Sequence, residues 1–135
     1  MDVKNYKVAG MLETVLGNKT AAYTLLYIEA AGSGYASQIA STFAIPLNSV
    51  QQQLKKFESC GLLVSYTVGK TRLYEFNPRG RSVQNIRTLL SAELDFLGSE
   101  NSPIPRNLYQ QLFAPRNRPR ATGKPVSYVP KELRS

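Results

Sequence analysis

The sequence predicts a mainly α-helical α+β fold that includes one small β-hairpin. Three observations support this prediction. Apolar residues recur at spacings of three and four along most of residues 7–97, as they do on amphipathic helices. Residues 62–76 instead carry β-branched and aromatic side chains on both sides of a Gly-Lys pair, as a hairpin does. A length of 135 residues also allows one domain with a modest core and appendages.

The chain is predicted to begin with two helices. The first covers residues 7–17, and the second covers residues 19–30 with Asn18 as its N-cap. Tyr23 and Tyr27 lie four residues apart on the second helix and are interpreted as flanking the core, with a shallow surface groove as the alternative. The residues predicted to form the core faces of these helices are Val8, Met11, Leu12, Val15, Leu16, Ala22, Leu25, Leu26 and Glu29.

Two further helices are predicted around a tight turn. Residues 32–34, Gly-Ser-Gly, are interpreted as a flexible joint that leads into the first of them. Pro46 disfavours a helical conformation at Ile45, so the first helix must end there and a second can begin near Pro46 to Asn48. The predicted buried faces consist of Ile39, Ala40 and Phe43 on the first helix, and Val50, Leu54 and Phe57 on the second.

The opposite face of this second helix is polar. Amide side chains have a paired donor and acceptor that match the N6/N7 edge of adenine, and lysines suit phosphate, so this composition favours a helix in a DNA major groove. A solvated surface rich in Gln and Lys is the alternative. The face consists of Asn48, Gln52, Lys55, Lys56 and Ser59, with Gln51 and Gln53 at its edges.

The predicted hairpin follows directly. Gly61 is placed to end the helix in a left-handed conformation. Residues 62–68 and 71–76 are the two strands, and the turn between them places Lys70 and Arg72 at the tip. A basic tip beside a Gln/Lys helix would give two points of contact with a duplex.

From about Leu16 to Pro78 the chain resembles the winged helix-turn-helix transcriptional regulators of the ArsR-like and MarR-like kind. The motifs that carry the resemblance are LGNKTAAYTLLYI, SVQQQL, GLL and GKTRLYEFNP. The resemblance implies that the second helix enters the major groove of double-stranded DNA and that the wing contacts the backbone or the minor groove. Winged helices also serve as protein-interaction modules. The DNA-binding residues expected from the resemblance and the polar face together are Asn48, Ser49, Gln51, Gln52, Gln53, Lys55, Lys56, Lys70, Thr71 and Arg72.

Residues 82–97 are predicted to form a longer helix with an apolar stripe. A small body offers limited surface for such a stripe, so we expect a homodimer that pairs through it and sets the spacing of two DNA half-sites. The alternative is that the helix folds back against residues 8–16. The stripe consists of Val83, Ile86, Leu90, Leu94 and Leu97.

The composition changes after residue 97. Residues 1–97 contain ten Lys/Arg and seven Asp/Glu and are predicted to be a winged-helix DNA-binding domain with terminal dimerisation helices. Residues 98–135 contain seven Lys/Arg and two Asp/Glu, and they are predicted to be a largely disordered, Pro/Arg-rich basic tail. Within this tail, residues 102–105 are expected to be a linker and residues 106–113 one short helix. The arginines that follow residue 113 are interpreted either as a minor-groove arm or as a solubilising or phosphate-binding tail.

Composition argues against several classes of function. The chain has no histidine, a single cysteine and scattered carboxylates, so we expect no enzyme, no metal site and no cofactor, and metal sensing by ArsR-like relatives is not carried over. The absence of an apolar run near 18 residues and of a signal peptide favours the cytoplasm over a membrane. A small-molecule effector is an open alternative, although nothing in the sequence shapes a pocket for one. The sequence therefore predicts a dimeric, repressor-like DNA-binding regulator, with a plasmid or phage replication or partition factor and a protein-interaction module as alternatives.

Overall fold

The computed structural model describes residues 3–113, which form six α-helices and a three-stranded antiparallel sheet. The prediction of a mainly helical α+β fold is confirmed. The predictions for the basic tail beyond Phe113 lie outside the described residues. The helices are α1 (Gly10–Leu16), α2 (Lys19–Ala31), α3 (Ala36–Phe43), α4 (Leu47–Ser59), α5 (Val83–Leu97) and α6 (Arg106–Phe113), and the strands are β1 (Gly34–Tyr35), β2 (Leu63–Val68) and β3 (Thr71–Phe76).

Helix α2 lies at the centre of the core and packs against α1, α3, α4, α5 and α6. The Asn18 side chain accepts a hydrogen bond from the Ala21 N–H at 3.1 Å, which confirms it as the N-cap. Tyr23 and Tyr27 are both buried, and the Tyr23 ring stacks on Phe43 with a centroid separation of 4.6 Å. Both tyrosines therefore belong to the core, and Tyr23 also lines an open depression beside α1.

The turn between α3 and α4 follows the predicted boundaries. Helix α3 ends at Phe43, and Ala44 takes a left-handed conformation with a φ of 55°. The Ile45 N–H donates to the Ala40 carbonyl at 3.0 Å, and Pro46 is the N-cap of α4. The predicted inner faces are buried, except that Phe57 is only partly buried against the core.

Helix α4 ends in a Schellman motif. Gly61 has a φ of 86°, the Leu62 N–H donates to the Phe57 carbonyl at 2.9 Å, and the Gly61 N–H donates to the Glu58 carbonyl at 3.1 Å. The prediction of a left-handed glycine is thus confirmed. The buried Asn77 side chain then donates to the Gly61 carbonyl at 2.9 Å, so the end of β3 is joined to the end of α4.

The sheet differs from the predicted two-stranded hairpin. β1 pairs with β3, with Gly34 opposite Tyr74 and Tyr35 opposite Leu73, which gives the strand order β1-β3-β2. The interpretation of residues 32–34 as a flexible joint is therefore wrong at Gly34. A Cβ atom there would lie 3.0 Å from the Tyr27 ring, so the glycine permits close packing against α2.

The apolar stripe of α5 faces α2 in the same chain. Val83, Leu90, Leu94 and Leu97 are buried, and Ile86 is partly buried against the core. The interpretation of this stripe as a dimer surface is therefore wrong, because its side chains are already covered. The alternative is also revised, since the receiving element is α2 and not residues 8–16. Arg87 of α5 donates to Glu29 of α2 at 2.9 Å beside the stripe.

Helix α1 buries less than predicted. Val8 and Leu12 belong to the core, whereas three other residues that were predicted to be buried are exposed. The helix covers only seven residues instead of the predicted range 7–17, and Leu12 is its single buried residue. The exposed residues are Met11, Val15 and Leu16.

Helix α6 forms over residues 106–113 as predicted, but it is part of the core. Leu108, Leu112 and Phe113 are buried, and the Phe113 ring lies 5.8 Å from the Phe43 ring between centroids. Ile104 is also buried, although it belongs to the predicted linker. The predicted domain boundary between residues 97 and 98 is therefore wrong, and the folded unit extends to Phe113.

Candidate nucleic-acid interface

The outward face of α4 presents most of the predicted DNA-binding side chains to solvent. Gln53 is the exception, since only 8% of it is exposed. Residues 50, 53, 54 and 57 fall on one helical face, so the spacing of three from Val50 could have identified Gln53 as inward-facing. The exposed residues of this face are Asn48, Gln51, Gln52, Lys55, Lys56 and Ser59, with Ser49 half-buried.

The tip of the β2–β3 hairpin presents the other predicted group. Val68 pairs with Thr71 across a two-residue turn, and Gly69 adopts a φ of 63° that suits a glycine. The Thr71 hydroxyl donates to the Val68 carbonyl at 2.8 Å and so closes the turn. Lys70, Thr71 and Arg72 are all exposed.

An open depression of about 410 Å³ lies between α4 and the hairpin. It brings Gln51 and Lys55 of α4 together with the three exposed hairpin residues, whereas Asn48, Ser49, Gln52 and Lys56 lie outside it. The sequence did not indicate its other lining residues, because they come from β1, from the starts of α3 and α4, and from β3. These residues are Tyr35, Ala36, Ser37, Leu47 and Tyr74.

A carboxylate from α4 reaches the hairpin beside this depression. Glu58 Oε2 accepts a hydrogen bond from the Ser65 hydroxyl at 2.6 Å and lies 3.9 Å from Arg72 Nη1. The Glu58 side chain is 15% exposed and that of Arg72 is 55% exposed. Glu58 was not among the predicted site residues, since only the folding of the hairpin onto α4 brings residues 58, 65 and 72 together.

Two tyrosines of the sheet have raised pKa values. Burial is the main cause of the raised pKa of Tyr74, and the Glu58 carboxylate adds to it, whereas the charge and hydrogen bond of Arg72 act in the opposite direction. Burial, followed by a hydrogen bond to Glu75, raises the pKa of Tyr66. Both phenols are therefore neutral at physiological pH, and the positive charge beside the depression comes from Lys55, Lys70 and Arg72.

Comparisons of the chain with protein-family models, with curated proteins and with solved structures found no match. Among residues 3–113, no helix combines the length and the apolar character needed to cross a membrane. The same part of the chain holds no group of three His, Cys, Asp or Glu residues placed to bind a metal ion. The argument for a function of the candidate interface therefore comes from its geometry and charge.

Proposed function

We propose that this protein binds double-stranded DNA as a winged helix-turn-helix regulator, with α4 as the recognition helix and the β2–β3 hairpin as the wing. The observation that carries the proposal is the depression between them, where amide and ammonium groups of α4 meet the basic tip of the hairpin. The proposal involves no catalytic step and no cofactor.

The shape and chemistry of α4 support a place in the major groove. Its 13 residues give a length of about 20 Å, and a major groove about 12 Å wide admits one α-helix. Asn48, Gln51 and Gln52 are exposed and carry the amide groups that recognise adenine. Lys55 and Lys56 follow on the same helix and suit the flanking phosphates.

The hairpin is held at a defined position relative to α4. The Schellman motif and the bond from Asn77 to the Gly61 carbonyl connect the end of α4 to both long strands. Lys70 and Arg72 can therefore meet the backbone or the minor groove without a large rearrangement. Such preorganisation lowers the entropic cost of binding.

We further propose that the protein acts as a homodimer, through a surface other than the buried stripe of α5. Large apolar side chains remain exposed on α1 and α5, and none of them lines the depression. We expect a second copy to cover at least one of these two helices, so that the dimer presents two recognition helices to two half-sites. These residues are Met11, Val15 and Leu16 of α1, and Leu89 and Phe96 of α5.

Selection of bound duplexes from a random pool tests this function. We expect a palindromic consensus with half-sites roughly 10 base pairs apart, because a two-fold dimer repeats its contacts after one turn of the duplex. Repeated direct sites would favour the replication or partition alternative. No enrichment over the starting pool, with folded protein, would favour a protein-interaction module.

Gln52→Ala tests base recognition on the selected duplex. Loss of a paired donor and acceptor should weaken binding to the selected site by about 1–3 kcal/mol and leave binding to random duplex almost unchanged. Gln110→Ala is a matched control, since Gln110 is exposed on α6. An equal loss of affinity for both duplexes would show that Gln52 does not recognise bases.

A further inference from the structure

Arg72 is the hairpin cation closest to a carboxylate of the proposed recognition helix. The cross-strand pairs Ser65 with Tyr74 and Thr67 with Arg72 put these side chains on one face of the sheet. The Glu58 side chain reaches the same group of residues, with its Oε2 atom 2.6 Å from the Ser65 hydroxyl. Glu75, the carboxylate residue of β3, pairs with Val64 of β2, so its side chain lies on the opposite face of the sheet.

The two partners differ in how firmly they are held. Glu58 is mostly buried and hydrogen-bonded to Ser65, which is fully buried, so its position is well defined. Arg72 is more than half exposed, its Nη1 atom lies 3.9 Å from the carboxylate, and it also hydrogen-bonds to Tyr74. An ion pair at this distance whose arginine is exposed is weak, so a phosphate can compete with Glu58 for the guanidinium.

We propose that Glu58 is a specificity-determining residue that restrains Arg72. The carboxylate keeps the guanidinium beside α4 and partly neutralises it, so every phosphate contact of Arg72 competes with Glu58. Binding to random duplex depends on phosphate contacts alone, so this competition weakens it more than binding to the selected site, which also has base contacts. The inference rests on the proposed DNA-binding function and assigns a role to a residue outside the DNA-contacting set.

Glu58→Gln is the decisive variant, because the amide oxygen can still accept from Ser65 while the charge is removed. Binding to random duplex should tighten by about two- to fivefold, the range expected for an exposed ion pair. The slope of log affinity against log salt should steepen by up to about 0.9, the contribution of one added phosphate contact. Binding to the selected duplex should change less, so the ratio of specific to nonspecific affinity falls.

Two controls separate restraint of Arg72 from a general change in charge. Glu75→Gln removes one negative charge from the opposite face of the hairpin and should change the random-duplex affinity less than Glu58→Gln does. In an Arg72→Gln background, Glu58→Gln should have no further effect on the salt slope. Ser65→Ala keeps the carboxylate but removes its hydrogen bond, and should shift nonspecific binding in the same direction by a smaller factor.

The outcomes distinguish this inference from the function on which it rests. Folded wild-type protein that binds neither random nor selected duplex would overturn both. Wild-type binding with an identical salt slope in Glu58→Gln would overturn the restraint alone. An effect of Glu58→Gln that persists without Arg72 would also overturn it, since the carboxylate would then act on DNA directly.

Discussion

At the scale of single residues, the connection between α4 and the sheet depends on Asn77. Its side-chain N–H donates to the Gly61 carbonyl at 2.9 Å, and its side-chain oxygen accepts from the Arg79 N–H at 3.0 Å. The backbone N–H of Asn77 donates to the Leu62 carbonyl at 2.9 Å. The buried side-chain amide of Asn77 therefore forms hydrogen bonds with the backbone both after α4 and after β3.

We expect Asn77→Ala to lower the free energy of unfolding by about 1–3 kcal/mol, because the buried Gly61 carbonyl loses its donor. Urea denaturation followed by circular dichroism measures this change. Asn107→Ala, at an exposed position of α6, should leave the stability unchanged or slightly raised, since alanine favours a helix. An unchanged urea midpoint in Asn77→Ala would contradict the stabilising role assigned to the Asn77 side chain.

A second expectation at this scale concerns alkaline stability. Burial, with a smaller contribution from Glu13, raises the pKa of Tyr23 from 10.0 to about 12. The fold thus favours the neutral phenol, so its contribution is complete below pH 10 and is lost as the pH rises towards 12. A pKa raised from 10.0 to about 12 corresponds to about 2 to 3 kcal/mol of folding stability.

Tyr23→Phe should therefore reduce the loss of stability between pH 10 and 12. Urea midpoints measured at several pH values across this range would show a shallower decline in the variant than in the wild type. Some decline should remain, because the pKa values of Tyr66 and Tyr74 are raised as well. Parallel declines in the two proteins would contradict the role assigned to Tyr23.

At the scale of elements, α6 shows how a helix that looks like an appendage joins the core. It packs against α2 and α3, and its buried side chains include Leu108 and Phe113. The preceding segment, rich in Pro and Ser, predicts a linker, but Ile104 within it is buried. Helix α6 therefore covers the Phe43 side of α2 and α3, and the core would be incomplete without it.

Leu108→Ala tests this integration. Leu108 is fully buried, so its truncation should lower the free energy of unfolding by about 2–5 kcal/mol while the transition stays cooperative. Gln110→Ala, on the exposed side of the same helix, should have little effect. If Leu108→Ala left the urea midpoint unchanged, α6 would be an independent appendage.

At the scale of the whole molecule, the basic depression shares no residue with the exposed apolar positions of α1 and α5, although the exposed Leu47 of α4 lines it. The depression between α4 and the hairpin contains Lys55, Lys70 and Arg72. Leu89 and Phe96 of α5, which are 42% and 49% exposed, lie seven residues apart on one helical face. This separation supports a protein that uses one surface for DNA and another for a second copy of itself.

The dimer proposal predicts that Leu89→Glu combined with Phe96→Glu converts a dimer to a monomer in sedimentation. Binding to a palindromic duplex should weaken, while the affinity for a single half-site should change little. Ser91→Glu is a suitable control, because Ser91 is exposed on the same helix but about 200° around it from Leu89. Leu90→Glu is unsuitable, since Leu90 is buried and the variant would unfold the monomer.

Wild-type protein that sediments as a monomer at micromolar concentration would contradict the dimer proposal directly. A double variant that remains dimeric would instead place the interface on another surface. The exposed residues of α1, Met11 and Val15, would then be the next positions to change.

The sequence by itself determined the local structure of this protein. The N-cap at Asn18, the left-handed Gly61 and the turn at Gly69 are all present as predicted. The positions of helices α2 to α6 and of both long strands follow the predicted ranges closely. These features depend on interactions between residues a few positions apart, such as caps, side-chain periodicity and turn geometry, and those interactions can be recognised without knowledge of the fold.

Only the tertiary structure decided which surfaces are covered and by what. The stripe of α5 could have met a second copy, but α2 of the same chain covers it. Gly34 became a strand residue because β3 offered a free edge, and Glu58 met Arg72 because the hairpin folds onto α4. Periodicity predicts that a face is apolar, but burial depends on elements distant in sequence, and their arrangement is set by the packing of the whole core.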